Sequence, residues 1–261
     1  MDALIDTQIL STHFKHGSGL LPSGNYISSI TANEFLWVYR KDSNKPDYYI
    51  FHPSRFVGIS GIGHYLYPSE HYKNKKWAKL GAHRTDQIII DFNNQFPAYK
   101  EFGLEAVASI INEHQINIFE LSIAHIEKKK RRYLRERIQF LVSTGYKCIP
   151  PNLTTASIAM DLFAKFIEQH NSKEDLRNSI NDIIILATAA EKKMLLVSKD
   201  SLLNRFAAKE CNVVLKEVKG TLELDFSAPK SVERMNFSES KGYVNRGWSY
   251  SVRNGNSVYG C

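Results

Sequence analysis

The sequence predicts an α/β protein: a three-layer α/β/α fold on a parallel sheet, interrupted by an inserted segment. Short apolar runs that end in an acid or a hydroxyl, Ala3-Leu4-Ile5-Asp6 and Met194-Leu195-Leu196-Val197-Ser198, each lead into a segment that begins a helix. From about Ile180 to Val218 helices and strands alternate, and such units wind into a parallel sheet with helices on both faces. The stretch from about Arg40 to about Gln115, rich in Tyr, His, Lys and Gly, breaks that rhythm.

In order, Leu4-Ile5 reads as a buried strand and Thr7 to Phe14 as the helix it feeds. Tyr26-Ile27-Ser28 follows the turn-like Pro22-Ser23-Gly24-Asn25 as a second strand, and Thr31-Ala32-Asn33-Glu34 opens the run Phe35-Leu36-Trp37-Val38. The inserted stretch offers one strand, Ile88-Ile89-Ile90, and one helix, Leu104 to Asn112. Helical spacing returns at Ile118 and runs to about Val142, and Pro150-Pro151 stops it. Thereafter come a helix from Thr154 to about Gln169, a helix from about Ile180 to Lys192, the strand Met194 to Ser198, the helix Ser201 to Lys209 and the strand Val213 to Val218. After Gly220 the chain turns to Ser, Gly, Asn and aromatic residues, a poor core former. The expected organisation is a discontinuous α/β domain of residues 1–40 and 116–220, an insertion of residues 41–115, and a C-terminal extension of residues 221–261.

Lys plus Arg outnumber Asp plus Glu by 34 to 27, and the resulting +7 favours a polyanionic partner such as nucleic acid. Cys148, Cys211 and Cys261 have neither zinc spacing nor the pairing of a secreted framework, so they read as reduced thiols. Acids near the N-terminus and the absence of a membrane-length apolar run point to a cytoplasmic protein without a membrane partner.

Asp6, Glu34, Asp182 and Asp200 carry the functional argument. Each alone has a structural explanation: Asp6 as a helix cap, Glu34 as the end of a Thr31-x-x-Glu34 capping box, Asp182 as a first-turn acid, and Asp200 as the cap of the helix at Ser201. Together they share a placement that capping does not require, because strand ends and first helical turns converge on one edge of a parallel sheet. Carboxylates gathered there repel, by about 4 kcal/mol for two charges 4 Å apart at an effective dielectric of about 20. A divalent ion resolves the conflict, and oxygen ligands without Cys or His select Mg²⁺ or Mn²⁺.

Four motifs, in order, resemble the acidic motifs of PIN-domain nucleases, most of all the VapC-type toxins: Leu4-Ile5-Asp6-Thr7, Ser29-x-Thr31-x-x-Glu34-Phe35, Asn181-Asp182-Ile183-Ile184-Ile185-Leu186-Ala187-Thr188-Ala189 and Leu196-Val197-Ser198-Lys199-Asp200. Ile149-Pro150-Pro151 and the helix carrying Ala156, Ala159 and Leu162 are similar to the segment that precedes the third acid there. The resemblance covers Met1 to about Tyr39 and about Ile118 to Val218. It implies metal-dependent hydrolysis of RNA phosphodiesters, with Asp6 and Asp182 binding metal directly and Glu34 and Asp200 completing the site or holding water. Thr7 and Ser198 would orient the acids or a phosphate oxygen. It also implies a toxin or defence role, with an antitoxin or regulatory partner and a homodimer as expected associations. Two features depart from the pattern: the gap between Glu34 and Asp182 exceeds that of compact toxins, and Ser198 stands where Thr is commoner.

Lys128-Lys129-Lys130-Arg131-Arg132, with Arg135 and Arg137, is the densest basic cluster and a candidate nucleic-acid contact, set against a solvated helix face. Lys73, Lys75 and Lys76 beside Trp77 interleave bases with an aromatic ring, which suits stacking on single strands. His52, His64, His71 and His83 lack paired zinc spacing, and Asp161 reads as a solvent-facing acid in mid-helix. A dehalogenase-like phosphatase needs a second Asp two residues after Asp6, where Gln8 stands. The expected activity is therefore a metal-dependent endoribonuclease, with a structure-selective DNA nuclease or a non-catalytic nucleic-acid-binding protein as the alternatives.

Overall fold

Both edges of the Ala3-Leu4-Ile5 run are occupied, which is why it is buried end to end: strand β1 (Ala3–Ile5) pairs in parallel with β2 (Asn25–Ser28) on one side and with β8 (Leu195–Ser198) on the other. The computed structural model describes residues 2–17, 25–40, 43–46, 50, 52, 85–92, 96, 98–124, 126–170, 176–211, 213–218, 220–227 and 249–253. It divides into two units, one of Met1–Thr31, Asp91–Pro97 and Ile149–Ser249, the other of Ala32–Ile90, Ala98–Cys148 and Tyr250–Cys261.

The first unit is built on the mostly parallel sheet. Helix α1 (Thr7–His16) follows β1 directly, burying Ile9 and Leu10. Helix α2 (Ser29–Phe35) follows β2, and the chain leaves the unit within it. The second unit begins with the hairpin β3 (Tyr39–Arg40) and β4 (Ser43–Pro46) and continues with β5 (Gln87–Asp91), β6 (Tyr99–Phe102), α3 (Leu104–Asn112), α4 (Ile116–Ser122) and α5 (Lys128–Ser143). The chain re-enters the first unit within β7 (Lys147–Ile149), the edge strand of a six-stranded sheet ordered β7-β2-β1-β8-β10-β9. Helices α6 (Leu153–Gln169) and α7 (Leu176–Lys192) pack against one another, and α8 (Ser201–Glu210) follows β8. Asn152 caps α6 in a reciprocal box with Thr155, satisfying two backbone donors at once.

The sheet is not wholly parallel. Strand β9 (Val214–Val218) turns back through Gly220, whose φ of +77° suits a residue without a Cβ, into β10 (Thr221–Asp225). β10 pairs antiparallel with both β9 and β8, so Thr221-Leu222-Glu223-Leu224-Asp225 extends the sheet instead of opening a separate extension. Leu224 is fully buried, which gives that short alternating segment a core contact. Strand β11 (Ser249–Arg253) lies in a three-stranded sheet ordered β11-β5-β6.

Residues 116–148 cluster with the second unit, whereas the sequence groups them with the α/β domain. The continuous helical spacing from Ile118 to Val142 resolves into α4 and α5, because Ile123 and Ile126 are buried in the connection between them rather than on one helix face. Leu134, Ile138 and Leu141 form the buried stripe of α5, Phe140 sits 6.0 Å from Phe35, and α3 buries Leu104, Val107, Ile110 and Ile111. This unit also buries His52, Thr85, Asp86, Gln87, Glu101 and Ser122, an uncommon concentration of polar groups. Among the described residues no helix is long and apolar enough to cross a membrane, and Cys148 and Cys211 are free thiols.

Candidate active site

The parallel pairing of β1, β2 and β8 brings their C-terminal ends to one edge of the sheet, with Ile5 level with both Ile27 and Val197. The next residue on each strand is polar: Asp6 after β1, Ser198 at the end of β8, Ser28 at the end of β2. Asp6 donates its backbone N–H to the Val197 carbonyl at 3.1 Å, which holds it in line with the sheet. Its carboxylate accepts the Thr7 N–H at 2.6 Å and the Ser198 hydroxyl at 2.7 Å. Ser198 is buried, and its oxygen also accepts the Asp200 N–H at 3.0 Å. Asp200 then caps α8, accepting the Leu203 N–H at 2.9 Å. One serine side chain thus joins the first acid to the backbone of the last.

Asp6 is only 7% exposed. Burial pushes its carboxyl above the usual carboxylate range, the bonds from Ser198 and Thr7 pull it down, and the charge of Asp200 adds to the push. The capping role read from sequence is real for both Asp6 and Asp200. Capping does not account for the Ser198 bridge or for the like charge that Asp6 feels from Asp200.

Glu34 does not close a capping box. Helix α2 starts at Ser29, and Ser28 takes the capping position, its hydroxyl accepting the N–H groups of Ile30 at 3.0 Å and Thr31 at 3.4 Å. Glu34 is half-buried and belongs to the second unit, whereas Asp6, Asp182 and Asp200 belong to the first. Asp182 is not a first-turn acid: α7 already begins at Leu176, which puts Asp182 in its second turn, where the end of the helix dipole has little hold. It is half-buried, beside the fully buried Asn181. Asp161, expected to face solvent, is buried at 6% exposure, because α6 packs with nearly its whole middle circumference enclosed from Thr155 to Phe166.

Sequence reasoning missed Ser28 and gave Ser29 and Thr31 only a place in a motif. The Ser29 and Thr31 hydroxyls, in the helix after the β2 end of the same sheet edge, are buried without a hydrogen-bond partner among the described residues. The signal was the hydroxyl run Ser28-Ser29-x-Thr31 directly after a strand.

The donor chemistry of the Asp6 and Asp200 pair fits a hard divalent ion, which takes one or two carboxylates and otherwise water and phosphate oxygens. Its charge would offset both the burial that raises Asp6 and the smaller push from the charge of Asp200. Among the described residues no group of three or more His, Cys, Asp and Glu side chains is assembled for a metal. His52, the described member of the histidine series, is buried against Phe119.

The basic cluster opens α5 with no acid in its first turn. Lys130 lies 3.8 Å from Glu127, Arg132 pairs with Glu136 at 3.0 Å and Arg135 with Glu120 at 2.6 Å. Arg137 turns inward over the rings of Phe35 and Tyr133 and donates to the Phe35 carbonyl. Lys128 and Lys129 are exposed at a helix N-terminus, where the macrodipole already disfavours cations. Lys73, Lys75, Lys76 and Trp77, with His64, His71 and His83, lie outside the described residues. No family model, curated protein or solved structure matches the chain.

Proposed function

We propose that the chain is a divalent-metal-dependent nuclease that hydrolyses RNA phosphodiesters at the sheet edge carrying Asp6. The observation that carries this reading is the Ser198 bridge: a buried carboxylate at the end of β1 fixed by a hydroxyl from the end of the adjacent parallel strand, which also binds the backbone of a second acid. A bound Mg²⁺ or Mn²⁺ supplies charge stabilisation at the phosphoryl oxygens and a lower pKa for the attacking water.

The chain's own part is preorganisation. Ser198 and the Thr7 N–H hold the Asp6 oxygens in place, so its charge is aimed before any substrate arrives. The α8 N-terminus holds Asp200 through the Leu203 N–H. In this reading Asp182, in the same unit, adds negative charge. The preference for RNA rests on the resemblance to PIN-domain nucleases.

The test is incubation of purified protein with total RNA, tRNA and single- and double-stranded DNA, each with Mg²⁺, Mn²⁺ or EDTA, followed by end mapping. Cleavage of RNA that needs a divalent ion and stops in EDTA is expected. Cleavage confined to DNA would move the reading to a structure-selective DNA nuclease, and no cleavage of any substrate in any metal would end it.

A further inference from the structure

Helix α5 of the second unit opens on five consecutive cations, and they differ in what holds them. Lys130 stands 3.8 Å from Glu127 and Arg132 pairs with Glu136 at 3.0 Å, while further along the helix Arg135 pairs with Glu120 at 2.6 Å. The side chains of Lys128, Lys129 and Arg131 make no hydrogen bond or ion pair among the described residues. Lys128 and Lys129 are exposed, and the macrodipole disfavours cations in a first helical turn. Nothing in the described fold compensates that cost.

Tyr133 stands beside these cations, a large ring left 39% exposed. It is not a loose one. Arg137 lies over it, with the guanidinium carbon 4.2 Å from the Tyr133 centroid and 4.4 Å from that of the buried Phe35. The same guanidinium donates to the Phe35 carbonyl, so the cation that touches the surface ring is anchored on a core residue. Arg137 covers one face of Tyr133, and the ring's exposure lies on the remainder. Side chains on a helix lean towards its N-terminus, so Arg137 reaches back to Tyr133, and Tyr133 reaches back to the turn that carries Lys129. Lys129 and Tyr133, four residues apart, are neighbours on the helix surface.

We propose that this face of the second unit docks single-stranded nucleic acid, with one base stacked on the exposed ring of Tyr133 and flanking phosphates on Lys128 and Lys129. Sequence-tolerant binding of single strands combines an aromatic platform with free cations, and adjoining turns of α5 supply both. In a duplex the base faces are already stacked on one another, so the ring selects strands whose bases are open. Arg137 holds that ring before any strand arrives, which lowers the cost of ordering it. Arg132 and Arg135 sit in exposed ion pairs, which a phosphate can compete for. Ribose and deoxyribose strands share the groups recognised here. None of these residues is assigned to cleavage, so the docking face stands or falls independently of the nuclease reading.

Fluorescence anisotropy on the full chain in EDTA tests it, with a short labelled oligouridylate as the probe. An abasic strand of equal length keeps the phosphates and removes the bases. Saturable oligouridylate binding is expected, with the abasic strand weaker by roughly 5- to 150-fold, the usual weight of one stacked base. Tyr133→Leu should weaken the oligouridylate by a similar factor, leave the abasic strand unchanged and keep the salt slope, whereas Tyr133→Trp should retain the affinity. Lys129→Gln should instead lower the log-log salt slope by about 0.7, one phosphate's worth for a single strand. Oligodeoxyuridylate identifies the source: equal affinity assigns single strands of either sugar, weaker binding an RNA. Equal affinity for the oligouridylate and the abasic strand, unchanged affinity in folded Tyr133→Leu, or equally tight binding of polyglutamate, which would make the partner an acidic protein, would overturn the proposal. So would the absence of saturable binding. The oligouridylate and abasic comparison uses wild-type protein, so it decides even if a variant fails to fold.

Discussion

Each unit buries a carboxylate ahead of a helix, and the two are held differently. In the second unit, Asp86 accepts the Glu105 N–H at 2.8 Å and the Ala106 N–H at 3.1 Å, so both its oxygens serve the start of α3. In the first, Asp6 takes only one helix N–H, that of Thr7, and its other oxygen takes a hydroxyl from a neighbouring strand, with Asp200 adding a like charge. Burial raises both carboxyls above the usual range. Burial and a raised pKa therefore do not distinguish the two carboxylates; the identity of the donors and the nearby acid do.

The sharpest break between the two is a pair of amide substitutions. Asp6→Asn should reduce cleavage to the level of the EDTA control while keeping the fold, because the amide can still bond Thr7 and Ser198 but has lost its charge. Asp86→Asn should leave turnover unchanged and cost about 1–3 kcal/mol in urea unfolding, since an amide has one acceptor oxygen for two helix N–H groups. If Asp86→Asn instead abolished cleavage in a folded protein, the roles of the two carboxylates would be reversed.

Protonation should divide the units too. His52, at about 3 in the folded state against an ordinary 6.5, binds fewer protons folded than unfolded. Its stabilising contribution is whole above pH 6.5 and is lost as pH falls towards 3, on the order of 5 kcal/mol across that window. Asp6 runs the other way: with a raised folded pKa, its contribution is present at acid pH and lost as pH rises through that value. Chemical denaturation of wild type and His52→Phe from pH 7 to 4 should show a steep loss in the former and a shallower one in the latter. Parallel curves would mean that His52 is solvated.

Divalent titration addresses the first unit alone. Melting temperature should rise with Mg²⁺ or Mn²⁺ beyond the effect of ionic-strength-matched NaCl, with about 2.7 kcal/mol gained at a hundred times the dissociation constant. Asp200→Asn retains the cap on α8 and should lose most of that response. A divalent response equal to that of NaCl would leave Asp6 and Asp200 as caps.

The smallest effect concerns α5. Changing Lys128, Lys129, Lys130, Arg131 and Arg132 to Gln should flatten the salt dependence of RNA binding, by about 0.7 in log-log slope for each phosphate that is no longer neutralised. An unchanged slope, measured by fluorescence anisotropy at several salt concentrations, would make the cluster a solvated face.

The first unit was largely legible because its signals are local. Leu104–Asn112 in the second unit matches the helix expected there, and in the first Leu153–Gln169, Leu195–Ser198 and Ser201–Glu210 fall within one residue of expectation. Asp6, Ser198 and Asp200 could be read because a strand end followed by a helix start is written in consecutive residues. What was missed depends on distant partners. Asp86 caps a helix that starts 18 residues later, which no window of periodicity contains. His52 stood in a loop-like stretch, and its burial comes from Phe119 and Gly103. Glu101 did carry a signal, the period-two match with Tyr99 on β6, but an acid on an apolar face reads as a break in the pattern until Asn33 is seen to bond it.

The pairing of Ala3–Ile5 with Leu195–Val197 also has a consequence for synthesis. A ribosome adding about 5–20 residues per second reaches β8 roughly 10–40 s after β1 has been made. Throughout that interval the first strand has one edge open, and Asp6 has neither the Ser198 hydroxyl nor the Asp200 charge beside it. A growing chain therefore carries an apolar strand that a chaperone can hold, and it carries the first acid without the groups that fix it. Such a chain cannot assemble the sheet edge until β8 and the segment after it have emerged.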